Sequence, residues 1–127
     1  MSTFPNDRRY TSDHEWAKVE DDCVVIGVSS FAVEQLGDIT LVSFDASVGD
    51  ELEAGVAFGT IESVKTLSDL LAPMSGTLEA VNGNLEDIPE LINDDCYGKG
   101  WMIKIKPSDM ADLGKLMDSS SYEAHVK

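Results

Sequence analysis

No apolar run in this chain is longer than a β-strand, and nearly every one is fenced by glycine, aspartate, serine or proline. Short runs punctuated in that way are the pattern of strands joined by tight turns. Residues 16–19 and 23–28 are β-prone and are separated by Glu20, Asp21 and Asp22, a polar break that suits a hairpin turn. Residues 39–44 and 56–61 follow, with Val48-Gly49-Asp50 between them, and then 67–72 and 76–81 on either side of Pro73. Residues 101–105 alternate, with Lys104 and Lys106 set against Trp101, Ile103 and Ile105, which predicts a half-buried strand. Gly49-Asp50-Glu51-Leu52-Glu53 and Gly76-Thr77-Leu78-Glu79 have similar texture, a match that recurrent turn grammar produces in many β proteins.

Helical signals are few. Ser30 is placed to cap a short helix near 30–36, with Gly37 where helices usually stop. Residues 85–95 are acidic and contain Pro89, which predicts a loop with one helical turn. After Pro107 the texture changes: Ser108 precedes a pattern in which Met110, Leu113, Leu116 and Met117 recur at three- and four-residue spacing. Ser120 with Glu123 reads as a capping box for a final short helix. The expected fold is therefore mainly β, with C-terminal helices near 108–125 packed on the β body.

A chain of 127 residues has the size of a single domain, here 1–127 with a core over about 10–125. Hydrophobic residues make up 43% and charged residues 26%, which is enough apolar material for one core. Against 24 Asp plus Glu stand only 9 Lys plus Arg, a net charge of −15 whose field repels nucleic acid and anionic membrane. Such a surface suits partners with basic docking faces, and it also serves simply to keep a protein soluble. No stretch reaches the roughly 18 apolar residues of a membrane span. Residues 1–10 show neither a signal-peptide core nor an organelle transit helix, so a bacterial-type cytoplasm is expected, with a processed mitochondrial form left open. Cys23 and Cys96 have no CxxC spacing and no clustered histidines, so they indicate neither zinc nor a redox pair.

One segment is chemically suggestive. Lys65 lies alone in a polar stretch between two apolar strands, where a hairpin tip would leave it exposed and within reach of a modifying enzyme. Position alone is weak support, because an exposed hairpin lysine is usually a solvated edge residue. His14 and His125 form no metal or nucleophile constellation and read as structural and surface residues, while Trp16 and Trp101 read as core. No paired acid and base or phosphate loop suggests an enzyme acting alone.

Glu62-Ser63-Val64-Lys65, followed by Ser68-Asp69 and Ala72-Pro73-Met74-Ser75-Gly76, resembles the lipoyl-attachment segment of the glycine cleavage system H proteins. Similar blocks run along the chain: Tyr10-Thr11 with Asp13-His14-Glu15-Trp16, Glu34-Gln35-Leu36-Gly37-Asp38, Pro89-Glu90-Leu91-Ile92-Asn93, Tyr97-Gly98 with Gly100-Trp101, and Ile103-Lys104-Ile105-Lys106-Pro107-Ser108. Together they cover about residues 10–125. Leu71 departs from an aromatic common in the family and Cys96 from an expected proline.

The resemblance implies a small sandwich of antiparallel sheets related to lipoyl and biotinyl domains, with lipoic acid in amide linkage on Lys65. It implies a non-catalytic shuttle that visits three enzymes. A pyridoxal-phosphate glycine decarboxylase (P protein) loads an aminomethyl group, a tetrahydrofolate-dependent aminomethyltransferase (T protein) unloads it, and dihydrolipoamide dehydrogenase (L protein) reoxidises the dithiol. A monomer is the expected state. Glu62 and Gly76 match positions associated with recognition by lipoylating enzymes, and for Gly76 a turn needing positive φ is a strong further reason for glycine, compatible with that role. Glu15 and Asp69 match carboxylates that would contact the cationic cargo, and each also reads as a solvated or turn-capping acid. An H-like relay that donates lipoyl groups to other complexes is the main alternative. A biotin carrier ranks below it, because Val64 and Thr66, not methionines, flank Lys65.

Overall fold

The computed structural model describes residues 4–20 and 22–126. Asp21 of the expected turn and the side chain of Met110 lie outside the described residues. The strands are β1 (Arg9–Tyr10), β2 (Glu15–Glu20), β3 (Cys23–Val28), β4 (Ile39–Phe44), β5 (Glu51–Leu52), β6 (Ala57–Ser63), β7 (Leu67–Leu71), β8 (Gly76–Val81) and β9 (Ile103–Pro107). They form two antiparallel sheets, one ordered β1-β2-β3-β9-β8-β5 and one ordered β4-β6-β7. The expected mainly β sandwich is what the chain adopts.

The two sheets close over one apolar core because their strands alternate. Ala17, Val24, Ile26, Val28, Ile103, Ile105 and Leu78 of the larger sheet are buried with Ile39, Val42, Phe58, Ile61 and Leu70 of the smaller. A second cluster, of Phe4, Tyr10, Trp16, Val25 and Tyr122, covers the other face of the larger sheet. Within it the Tyr10 and Tyr122 rings stack with centroids 4.7 Å apart. The Trp16 indole N–H donates to the Cys96 carbonyl at 3.0 Å. Its ring lies over Gly27, where an added Cβ would sit 2.5 Å from Trp16 Cζ2, so only glycine fits beneath it.

The two segments of similar texture turn out to face each other: Glu51 pairs with Thr77 and Leu52 with Gly76. Strand β9 starts two residues later than the sequence pattern predicts. The Asn82 side-chain amide takes the Trp101 carbonyl at 2.8 Å, which diverts that residue from the ladder.

Helix α1 spans Ser30–Leu36, and its cap is Ser29, not Ser30: the Ser29 side chain accepts from the Ala32 N–H, and Gly37 ends the helix at φ 80°. The segment expected to be a loop holds two short helices, α2 (Asn84–Asp87) and α3 (Leu91–Asp95). Burial of Leu85 and Ile92 outweighs the acidic, proline-bearing composition there. The segment after Pro107 is a 3₁₀ helix over Met110–Lys115, capped by Asp109 rather than Ser108. Helix α4 (Ser119–Val126) takes its cap from Asp118, whose carboxylate accepts the Ser121 N–H at 2.8 Å, so Ser120 lies inside the helix. Among the described residues no helix is long and apolar enough to cross a membrane.

Candidate functional site

Strands β6 and β7 form a hairpin whose ladder runs Thr60 with Asp69, Ile61 with Ser68 and Glu62 with Leu67. Its turn is organised by Ser63, which sits at the end of β6 with a buried hydroxyl. That oxygen accepts the Lys65 and Thr66 N–H groups, each at 3.2 Å, while the Ser63 N–H donates to the Thr66 carbonyl at 2.8 Å. Serine in that place closes a tight turn with its own side chain. Lys65 is exposed at the tip between exposed Val64 and Thr66.

Beside the hairpin, between α1 and β7, lies a cleft of about 210 Å³. Val28, Ala32, Leu36, Ile61 and Leu70 give it apolar walls, and Ser68 and Asp69 of β7 line it as well. Thr66, next to Lys65, lines it too, so the lysine stands at its mouth. At the floor is Glu15, only 3% exposed.

Glu15 begins β2 in the larger sheet, and its Oε2 crosses to accept the Leu71 N–H of β7 in the smaller sheet at 2.8 Å. Burial pushes its carboxyl up to about 8, although the Leu71 hydrogen bond opposes that shift. At neutral pH the group is therefore mostly protonated. The backbone leading to it is tightly wound: Thr11 N–H donates to the Glu15 carbonyl at 2.8 Å, and the Thr11 hydroxyl accepts the Asp13 and Glu15 N–H groups. His14 there adopts φ 71°, uncommon for a residue with a Cβ.

His14 Nδ1 lies 2.8 Å from the Tyr122 hydroxyl, which lies 2.7 Å from the Ser29 hydroxyl that caps α1. One tyrosine of α4 thus joins the Glu15 turn to the helix that walls the cleft. Burial pushes the Tyr122 phenol up to about 12 and holds the His14 imidazole below its ordinary range. His14 is structural, and exposed His125 lies near it, with ring centroids 6.1 Å apart.

Of the residues singled out by sequence, Glu15 and Asp69 both line this cleft, Glu15 buried and Asp69 exposed opposite Thr60 in the ladder, and Lys65 follows at its mouth, next to Thr66. Glu62 does not join them: Ile61 faces the cleft, so its neighbour projects from the opposite face of the sheet, where it is exposed. Gly76 lies in the other sheet, and its backbone is not at positive φ; among the described residues the glycines that are so are Gly37, Gly49 and Gly55. Its lack of a Cβ is steric in origin. A Cβ at Gly76 would run into the Lys106 carbonyl and lie 2.5 Å from Ile105 Cγ2 of β9. Sequence reasoning missed the parts played by Ser63 and Tyr122. The serine two residues before a lysine in a turn was a usable signal, whereas a tyrosine over one hundred residues from His14 offered none.

Among the described residues no group of three or more His, Cys, Asp and Glu side chains could hold a metal ion. The cleft fits a different occupant: apolar walls suit a hydrocarbon arm, and a buried carboxyl at the end suits a cationic group on it.

Comparison with known proteins gives a consistent result. The glycine cleavage H-protein family matches residues 8–127. A glycine cleavage system H protein of Bacteroides fragilis is 49% identical over 123 residues, 97% of this chain and 97% of that protein. One from Anaeromyxobacter sp. is 48% identical over 124 residues, 98% of this chain and 96% of that protein. The crystal structure of a glycine cleavage system H protein from Mycobacterium marinum matches with a TM-score of 0.88 at 40% identity, covering 96% of this chain and 98% of that one.

Proposed function

This chain belongs to the glycine cleavage H-protein family, the lipoyl carriers of the glycine cleavage system, and on that premise we propose that Lys65 bears the lipoyl group. The observation that carries this reading is the hairpin itself. Its turn hydrogen bonds are made by Ser63, which leaves Lys65 exposed at the tip beside a cleft with apolar walls. An amine so presented is reachable by a lipoylating enzyme without any unfolding. Residues 1–127 act as one carrier domain, a cytoplasmic monomer that is not itself an enzyme. Its partners are the glycine decarboxylase, the aminomethyltransferase and the dihydrolipoamide dehydrogenase of the system. Glu62, on the outer face beside the tip, contributes to recognition by the lipoylating enzyme, and Gly76 contributes by keeping β8 close to β9.

Once attached, the lipoyl dithiol supplies the group-carrying and redox chemistry. The chain supplies a place to rest the arm. Glu15 at the floor and Asp69 on the wall would face an ammonium group on its end, with the surrounding apolar side chains limiting access of water. Because burial keeps Glu15 mostly protonated, a cation beside it would favour the carboxylate, and the proton would leave to solvent.

Intact mass of the protein from its native host, compared with Lys65→Arg, tests the attachment: a lipoyl-sized increment should be present on the first and absent from the second. An increment that survives the substitution refutes the assignment. In the loaded protein, Glu15→Ala with Asp69→Asn should hydrolyse the aminomethyl cargo faster, and an unchanged rate would remove the protective role.

A further inference from the structure

The tip carrying Lys65 is tied to a segment outside its own hairpin. The Val64 N–H donates to the Asp38 carbonyl at 3.0 Å. Asp38 is in turn bracketed by one side chain: Asn93 Oδ1 accepts the Ile39 N–H at 2.9 Å and Asn93 Nδ2 donates to the Gly37 carbonyl at 3.0 Å. A single half-buried amide on α3 therefore fixes the peptide groups on both sides of the residue that holds the hairpin tip. Gly37 takes φ 80° and ψ −149°, a backbone region open to glycine almost alone. A Cβ at Gly37 would lie 3.4 Å from Lys65 Cε and 3.6 Å from Cδ, so the aliphatic stem of the lysine lies along this segment.

We propose that Asn93 is a positioning residue for Lys65: through Gly37, Asp38 and Ile39 it fixes the direction in which the lysine is presented to the enzyme that modifies it. The inference rests on the reading of Lys65 as the attachment site. Ser63 organises the turn from within, and the ladder sets it opposite Ile39 at the start of β4, so the direction of the tip follows from how residues 37–39 are held. Asn93 restrains that segment. Removing its amide takes away the two bonds that flank Asp38 and loosens the 37–39 segment, which keeps the Gly37 bond to Val33 and the pairing of Ile39 with Ser63, so the competent presentation becomes one of several. An enzyme that binds only that presentation then shows a KM raised by the reciprocal of its population, with kcat unchanged.

The test uses the full chain with a lipoate-activating ligase, lipoate and ATP, following attachment by intact mass. Asn93→Ala should raise the KM for the chain by about three- to ten-fold and hold kcat within about two-fold. Hydrogen exchange at the Val64 amide should quicken several-fold, while the core amides of Ile26 and Ile105 keep their wild-type rates. A KM equal to wild type overturns the proposal, as does acceleration of Ile26 and Ile105 by the same factor as Val64, which would mark Asn93 as merely structural. If the wild-type chain acquires no lipoyl increment, the reading of Lys65 falls and the proposal with it; an increment with unchanged KM removes the proposal alone. Should Asn93→Ala fail to fold, Asn93→Asp is read by the same criteria, since it keeps the Ile39 bond and sets a carboxylate oxygen against the Gly37 carbonyl.

Discussion

The floor of the cleft and its rim are built on opposite terms. At the floor, Glu15 is buried, its carboxyl bonded to Leu71 and its backbone to Thr11, with the stacked Tyr10 and Tyr122 and the indole of Trp16 packed behind. At the rim, from Val64 to Leu67, four consecutive residues are exposed and are held by the Ser63 hydroxyl, the strand ladder and the Asp38 carbonyl. Floor residues are fixed in place at a cost in polar burial. Rim residues are cheap to change and easy to reach. The proposed function uses both, a rim from which the arm is offered outward and a floor where it would rest.

That contrast predicts a descending series of effects on stability. Trp16→Ala should destabilise by about 3–5 kcal/mol in urea unfolding, since a large ring over Gly27 leaves a cavity that nothing can fill. A cost below about 1 kcal/mol would mean that the floor is not the rigid half.

Glu15→Gln is next. An acid with an ordinary value of 4.5 that stands at about 8 when folded keeps its proton in the native state while the unfolded chain loses it. Stability of the wild type should therefore fall as pH rises from about 4.5 to about 8, by on the order of 4 kcal/mol. The glutamine variant should lose that slope. Equal slopes in the two proteins, read from unfolding midpoints at pH 5 and pH 8, would show that the floor does not resist ionisation.

Ser63→Ala should cost about 1 kcal/mol, the scale of hydrogen bonds that water partly replaces. Asp69→Asn should stay within about 0.5 kcal/mol, because the group is exposed. A larger loss there would place Asp69 with the floor.

What the sequence disclosed follows the same division. Strands bounded by clear turn residues, such as Ile39–Phe44 and Gly76–Val81, were legible to the residue, because local alternation and punctuation decide them. Long-range bonds decided the rest. The start of β9 depends on the Asn82 amide, and the α1 cap is held in a hydroxyl pair with Tyr122. The two helices over residues 84–95 form because Leu85 and Ile92 reach the core despite acidic neighbours. Lys65 was singled out because a resemblance marked it, and Glu15 with Asp69 likewise. That the two acids share one cleft yet differ in burial required the packing of β2 against β7, which no local pattern encodes. The resemblance also marked Glu62 and Gly76 for recognition at the attachment segment; their places, one on the outer face and the other in the opposite sheet, were not legible from sequence.

The edges of the two sheets have a consequence for how this protein behaves in a crowd. Both edges of the larger sheet are strands of only two residues, and on one of them Tyr10 exchanges both backbone bonds with Met117. On the smaller sheet, the edge strand β7 has its Leu71 amide occupied by Glu15. Three of the four sheet edges are thus short or partly occupied and give a neighbouring copy little to pair with, β4 being the longer exception, and a net charge of −15 holds copies apart. Loss of the Glu15 carboxyl would therefore be felt twice, in the chemistry of the cleft and in a strand edge newly open to aggregation.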